Sequence, residues 1–155
     1  MEGSSTMSNE REGILVFCPW EPYASKEEAL DYIKDVIILH PWFRAICLNN
    51  RPIGYILVTA FLGNDRCRVE IGYALGSKYW GKWIATVKLV ADDIFKEWTH
   101  MERLEAFVDV DNVGSQRVLQ KVGFQRECVL GKYFILKGRC SDMVIFNLLS
   151  TDWNT

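Results

Sequence analysis

Histidine is scarce in this chain, and charge of one sign is barely in excess. Two histidines, His40 and His100, among 155 residues leave little material for a histidine-based triad or a His-rich metal site. A net charge of −2 offers no basic footprint, so neither nucleic acid nor an anionic membrane is an expected partner. No apolar run approaches the length that spans a bilayer, and the polar start from Met1 to Gly13 lacks the apolar centre of a signal peptide. The five cysteines, Cys18, Cys47, Cys67, Cys128 and Cys140, are scattered and form no C-x-x-C pair. A disulfide framework or a zinc site is therefore not expected, and no metal cofactor is implied. Reduced thiols in a cytoplasmic protein, with the nucleus as an alternative, are the simpler reading.

What remains is ordinary for a soluble globular chain: 49% hydrophobic and 25% charged residues. The length suits one domain with a core of its own. Residues 1–13 read as a disordered lead-in and residues 14–150 as a single domain. After a short apolar run at Ile14–Phe17 and the proline-marked segment Pro19–Pro22, Ser25 and Glu28 have the spacing of a capping box. They open a helix through Leu30, Ile33 and Ile37 that should end before Pro41. Trp42–Leu48 and Ile53–Phe61 read as two strands of a hairpin turned at Asn49-Asn50-Arg51-Pro52.

The stretch Val69–Trp98 organises the rest. Val69, Ile71, Tyr73 and Leu75 alternate with Glu70, Gly72 and Ala74, the pattern of a half-buried strand. From Ile84 the period changes: Ile84, Val87, Val90, Ala91, Ile94 and Trp98 fall on one helical face. A strand feeding a helix through a Gly- and Lys-bearing loop, here Gly81-Lys82, places unpaired N–H groups and the positive end of the helix dipole together, which favours an anion. The loop is neither a P-loop nor a dinucleotide loop. Leu104–Val110 is a further strand, Asp111–Gly114 a turn, Ser115–Val122 a short helix stopped at Gly123, and Gln125–Leu136 and Ser141–Leu149 the last two strands. The order indicates an α+β sheet with a parallel step in its middle.

Two segments carry a resemblance. G-Y-A-L-G-S-K-Y-W-G-K-x-I-A-T, followed by D-N-V-G-S-Q-R-V-L-Q-K-V-G-F, resembles the GNAT superfamily of acyl-CoA-dependent N-acetyltransferases. The nearest branch is that of the ribosomal-protein alanine acetyltransferases and their plant relatives. The resemblance implies a mixed, mostly antiparallel central sheet whose middle strands splay, flanked by helices. It implies acetyl-CoA as cosubstrate, its pantetheine arm on the backbone of Tyr73, Ala74 and Leu75. The pyrophosphate would lie on N–H groups of the loop and helix start, Gly81, Lys82, Trp83, Ile84, Ala85 and Thr86. Asn112 would meet the pantetheine amides and Ser115 the thioester sulfur. The acceptor is a primary amine, on a small molecule, a lysine or a protein N-terminus. Glu70, on the cofactor strand, is the candidate base. Many relatives place an acidic Tyr where this chain has Leu119, so Ser115 is the candidate acid.

Each assignment has a plainer rival. Glu70 can instead pair with Arg66 or Arg68, Ser115 can simply cap its helix, and Asn112 can be a turn residue. The departure at Trp83, where the family pattern has Gly, predicts either backbone strain of about 1–3 kcal/mol or a reshaped loop with the indole swung onto the surface. The N-terminal strand and helix of the family are not recognisable here, which leaves a sheet edge open to pairing with a second copy. A weak or inactive CoA-binding or protein-interaction domain of the same fold is the alternative to an enzyme.

Overall fold

Stretches of period two form strands and stretches of period 3.6 form helices in the computed structural model, which describes residues 25–32, 34–35, 41–75, 77–136 and 138–153. The lead-in at 1–13, the run Ile14–Phe17, the segment Pro19–Pro22 and the end of the first helix lie outside the described residues. Helix α1, Lys26–Tyr32, starts as its capping box requires: the Glu28 N–H donates to Ser25 Oγ at 3.1 Å.

Strands β1 (Phe43–Leu48) and β2 (Arg51–Ala60) form the hairpin. Its turn is tighter than the sequence suggests. Asn49 and Asn50, at φ 51° and 61°, make a two-residue connection, while Arg51 and Pro52 already belong to β2. Two consecutive left-handed residues match the twist of the flanking strands, and asparagine tolerates that region better than most side chains. Pro52 falls where the register with β1 shifts and where β2 has no partner on its other side, a position that asks for no ladder N–H.

After β3 (Arg68–Leu75), a 3₁₀ helix (Ser77–Lys82) runs directly into α2 (Trp83–Glu97). Then follow β4 (Arg103–Asp109), α3 (Val113–Val122), β5 (Gln125–Leu136) and β6 (Arg139–Leu149). Among the described residues six strands stand in the order β1-β2-β3-β4-β6-β5, with β1 and β5 at the edges. All neighbours are antiparallel except β3 and β4, which are parallel; α2 supplies the crossover such a pair needs. Helix α3 stops at Gly123, φ 121°, whose N–H reaches the Leu119 and Gln120 carbonyls at 3.1 Å.

Alternation sorts the sheet into two faces. Ile56 and Val58, Val69 and Ile71, Leu104, Ala106 and Val108, and Val144, Phe146 and Leu148 share one core with Val87, Val90, Ala91 and Ile94 of α2 and Leu119 and Val122 of α3. Their neighbours in sequence, Tyr55 and Leu57, Glu70 and Gly72, Phe107 and Asp109, and Met143, therefore belong to the opposite face. Among the described residues no helix is long and apolar enough to cross a membrane.

Candidate active site

The parallel pairing of β3 with β4 is short. It runs through Arg68–Arg103, Val69–Leu104 and Glu70–Glu105 and ends there, although β3 continues to Leu75 against β2 and β4 continues to Asp109 against β6. Below the parting, Glu105 holds the strands together. It is buried and accepts from the guanidinium groups of both Arg68 and Arg103, the latter also bonded to Glu127. Above it, the β4-facing main chain of β3 has no strand partner.

The gap is a cleft of about 290 Å³, at the lower limit of small-molecule sites. It has room for the reacting ends of two substrates but not for a nucleotide as well. The cleft traverses the sheet: Tyr73, Asn112 and Ser115 line its helix side, and Tyr55, Leu57, Glu70, Phe107, Asp109 and Met143 its opposite side.

On the helix side the local sequence sets the geometry. Asn112 is the N-cap of α3, its Oδ1 accepting from the Ser115 N–H at 3.1 Å. The capping role considered for Ser115 thus falls to Asn112, which leaves the Ser115 hydroxyl free for other work. That hydroxyl pairs with the Tyr73 hydroxyl at 2.6 Å. Burial pushes the Tyr73 hydroxyl up to about 12, against the opposing pull of its bond to Ser115, so the phenol stays protonated at neutral pH. Asn112 lines the cleft, and its amide N–H groups have no protein partner among the described residues. An Asn112→Ala variant is expected to lose about 0.5–2 kcal/mol of stability through the missing cap, measured by urea denaturation, with Asn112→Asp retaining most of it.

Across the sheet, Glu70 makes no ion pair or side-chain hydrogen bond among the described residues. The expected pairing with Arg66 or Arg68 does not form: Arg66 donates to the Gly63 carbonyl, and Arg68 is committed to Asp65 and Glu105. Burial, and next the nearby Glu105, raise the Glu70 carboxyl above its ordinary value, with Arg68 opposing. A carboxylate so placed is a better proton acceptor than one in water.

Trp83 overturns both expectations attached to it. The indole is 4% exposed, turned into the core with its ring centroid 4.5 Å from that of Tyr73. Its backbone carries no left-handed strain, since Asn49, Asn50 and Lys132 are the non-glycine residues of positive φ among those described. At the first position of a right-handed helix a large side chain costs no strain, and inward burial of an indole outweighs leaving it in water. The ring therefore backs Tyr73 and does not line the cleft. Leu119, at the position of the family's acid, is wholly buried.

Glu70, Tyr73, Asn112 and Ser115 are thus brought together. Ala74, Gly81, Lys82, Trp83, Ile84, Ala85 and Thr86 do not line the cleft; with Leu75, the last residue of β3, they follow the chain from the end of β3 into α2. The 3₁₀ turn uses part of the donor set expected there, because its N–H groups bond carbonyls three residues back. Ile84 and Ala85 lie in the first turn of α2, where helices leave N–H groups unpaired, while the Thr86 hydroxyl donates to the Lys82 carbonyl at 3.1 Å.

Several lining residues were not anticipated. Tyr55 and Phe107 follow from strand alternation carried to the face away from the helices. Phe134 and Leu136 have no such signal. They reach the cleft past a bulge in β5, where the register slips between Leu130 and Phe134, Lys132 sits at φ 51°, and its N–H donates to Asp142 Oδ1 at 2.8 Å. Tyr133, at the bulge, stacks on Phe107 with centroids 5.7 Å apart.

Comparison with known proteins bears on this arrangement. Residues 5–125 match the family described as acetyltransferase (GNAT) domain. The chain belongs to the GNAT family. This GNAT domain is 38% identical over 94 residues to an uncharacterized N-acetyltransferase of Bacillus licheniformis, covering 59% of the chain and 52% of that protein. It is 30% identical over 84 residues to the [ribosomal protein uS5]-alanine N-acetyltransferase of Escherichia coli (strain K12), covering 54% of the chain and 43% of that protein. The chain thus spans about half the length of the curated relatives it matches. In fold it resembles the spermidine N-acetyltransferase of Vibrio cholerae, solved in complex with CoA and spermine, with a TM-score of 0.72 at 18% identity over 93% of this chain and 86% of that one. The GNAT domain has the expected α+β architecture, a mixed sheet with parted middle strands.

Proposed function

We propose that this GNAT domain transfers the acetyl group of acetyl-CoA to a primary amine by direct attack of the amine on the thioester. One observation carries the reading: the cleft crosses the sheet where β3 and β4 part, with a hydroxyl pair on one side and an unpaired carboxylate on the other. The residues fit the cosubstrate. The β4-facing main chain of β3 beyond Glu70, in the stretch of Tyr73, Ala74 and Leu75, and the open amide of Asn112 suit the pantetheine amides. The main chain from Gly81 to Thr86 suits the pyrophosphate, Ile84 and Ala85 by their place in the first turn of α2. Acetyl-CoA supplies the activated acyl group and a thiol leaving group.

The chain's own groups handle the protons. Glu70 takes one from the amine, directly or through water, so that the nitrogen lone pair is free. As the N–C bond forms and the C–S bond breaks, Ser115 gives its hydroxyl proton to the departing sulfur, and the serine oxygen takes up the second proton that the nitrogen loses as the amide forms, which restores the hydroxyl. Tyr73 donates to Ser115 Oγ, which frees the serine proton to point at the sulfur, and Trp83 holds the Tyr73 ring in place. The relatives' names support an acetylated amine, and the four cysteines among the described residues, Cys47, Cys67, Cys128 and Cys140, which are exposed and unpaired, suit the reducing cytoplasm or nucleus. Strand β1, an edge among the described residues, offers a place for a second copy to pair, which the molecular mass in solution tests.

The test is thermal stabilisation by CoA and acetyl-CoA, followed by thiol release with a panel of primary amines. The expected result is stabilisation by both and release with at least one amine. Ser115→Ala should lower kcat by about 10²-fold while the shift with CoA persists. Stabilisation without release on any amine would instead indicate a CoA-binding domain, a reading that the buried Leu119 favours. Absence of any shift would remove both.

A further inference from the structure

The opposite face of the cleft has a chemistry of its own. Tyr55, Leu57, Phe107, Phe134 and Met143 form its walls, and the charged groups lining it, Glu70 and Asp109, are both acidic. Among the described residues no Lys, Arg or His lines it. Asp109 is buried and its Oδ1 accepts from the Asp111 N–H at 2.8 Å, whereas Glu70 has no side-chain hydrogen bond or ion pair among the described residues, so Glu70 is the freer acid for an incoming group. The β5 bulge tightens the enclosure, carrying Phe134 to the cleft and Tyr133 onto Phe107. Apolar walls stabilise apolar atoms brought out of water, and a cavity whose charges are all of one sign repels a ligand group of that sign.

We infer that the acceptor is a primary amine with a compact apolar flank and no negative charge beside the nitrogen. Its nitrogen approaches Glu70 as a cation, and its apolar carbons lie against Phe107, Phe134 and Met143. A free amino acid would place its carboxylate on the α-carbon next to the nitrogen, within the field of Glu70 and Asp109 and with no cation among the described lining residues to receive it. A hydroxylated amine would bring its hydroxyl against Phe107, Phe134 and Met143, which offer it no strong hydrogen-bond partner. The inference rests on the acetyltransferase reading and adds the acceptor class to it.

A matched series tests it on the full chain with acetyl-CoA: 3-methylbutylamine, leucine amide, leucine and ethanolamine, compared by kcat/KM from thiol release. The expected order has 3-methylbutylamine and leucine amide on the order of 100-fold above leucine, from like-charge repulsion, and about tenfold above ethanolamine, from the apolar contact. Phe107→Ala should shrink the ratio to ethanolamine toward unity, with the thermal shift by CoA retained as the sign of an intact fold and cofactor site. Leucine or ethanolamine equal to or better than 3-methylbutylamine overturns the inference and leaves the transferase standing. A domain that CoA stabilises but that acetylates neither uncharged-flank amine also overturns the inference, and leaves the transferase standing only where another amine of the panel releases thiol. Loss of the CoA shift in the unmodified protein would instead remove the transferase reading, and this inference with it.

Discussion

A Trp83→Gly variant, which places the family's usual residue in the loop, is expected to be less stable by about 3–5 kcal/mol, the cost of deleting a large buried aromatic. For a chain of this size that is a fall in thermal midpoint of roughly 6–20 °C, read by differential scanning calorimetry or circular dichroism. The indole is 4% exposed and touches Tyr73, so the cavity would open directly behind the phenol that bonds Ser115. A second consequence follows in whatever fraction stays folded: Tyr73 gains room, the 2.6 Å bond to Ser115 loosens, and kcat drops more than KM changes. Trp83→Phe keeps an aromatic in the same place and should lose less than half as much stability. A glycine variant as stable as the unmodified protein would show that the ring does not pack as described.

Glu70→Gln is expected to lower kcat by about 10²–10⁴-fold, the usual contribution of a positioned general base. The pH profile carries the sharper signature. Burial and Glu105 raise the Glu70 carboxyl, so the base forms only above the ordinary glutamate range, and activity in the unmodified protein should rise as pH passes through that raised value. In the glutamine variant that limb should vanish. Stability moves the other way. A carboxyl whose proton is held more tightly in the folded state than in the unfolded state favours folding at low pH, and that contribution is lost as pH climbs from the ordinary value through the raised one. The glutamine variant lacks this loss, so its stability relative to the unmodified protein should improve across the same window. An unchanged pH–rate limb in the variant would remove Glu70 from the mechanism.

Much of the scaffold is readable from local pattern because the physics there is local. Ser25 and Glu28 announce a helix start with groups three residues apart, and Gly123 announces a stop through its own backbone freedom. The inward face of α2, Val87, Val90, Ala91 and Ile94, follows from the helical period alone. The cofactor side of the site is legible for a related reason: Tyr73, Asn112 and Ser115 sit in two contiguous segments. The acceptor side is not. Phe134 reaches the cleft only because a bulge shifts β5 against β6, and a shift in register leaves no mark on hydropathy. Trp83 is a different failure. Its position in the loop is plain from the sequence, yet which way the ring turns depends on whether the core has a vacancy beside Tyr73.

The sequence by itself determined the α+β order of elements, the parallel step, the family and the short set of residues that could bear the chemistry, because spacing and residue type act over a few neighbours. Only the tertiary structure decided where β3 and β4 part and that Tyr73 meets Ser115. It alone turned Trp83 inward and left Glu70 without an arginine. Each of those outcomes is a choice among partners distant in the chain, made by packing and by competition for the same carboxylates.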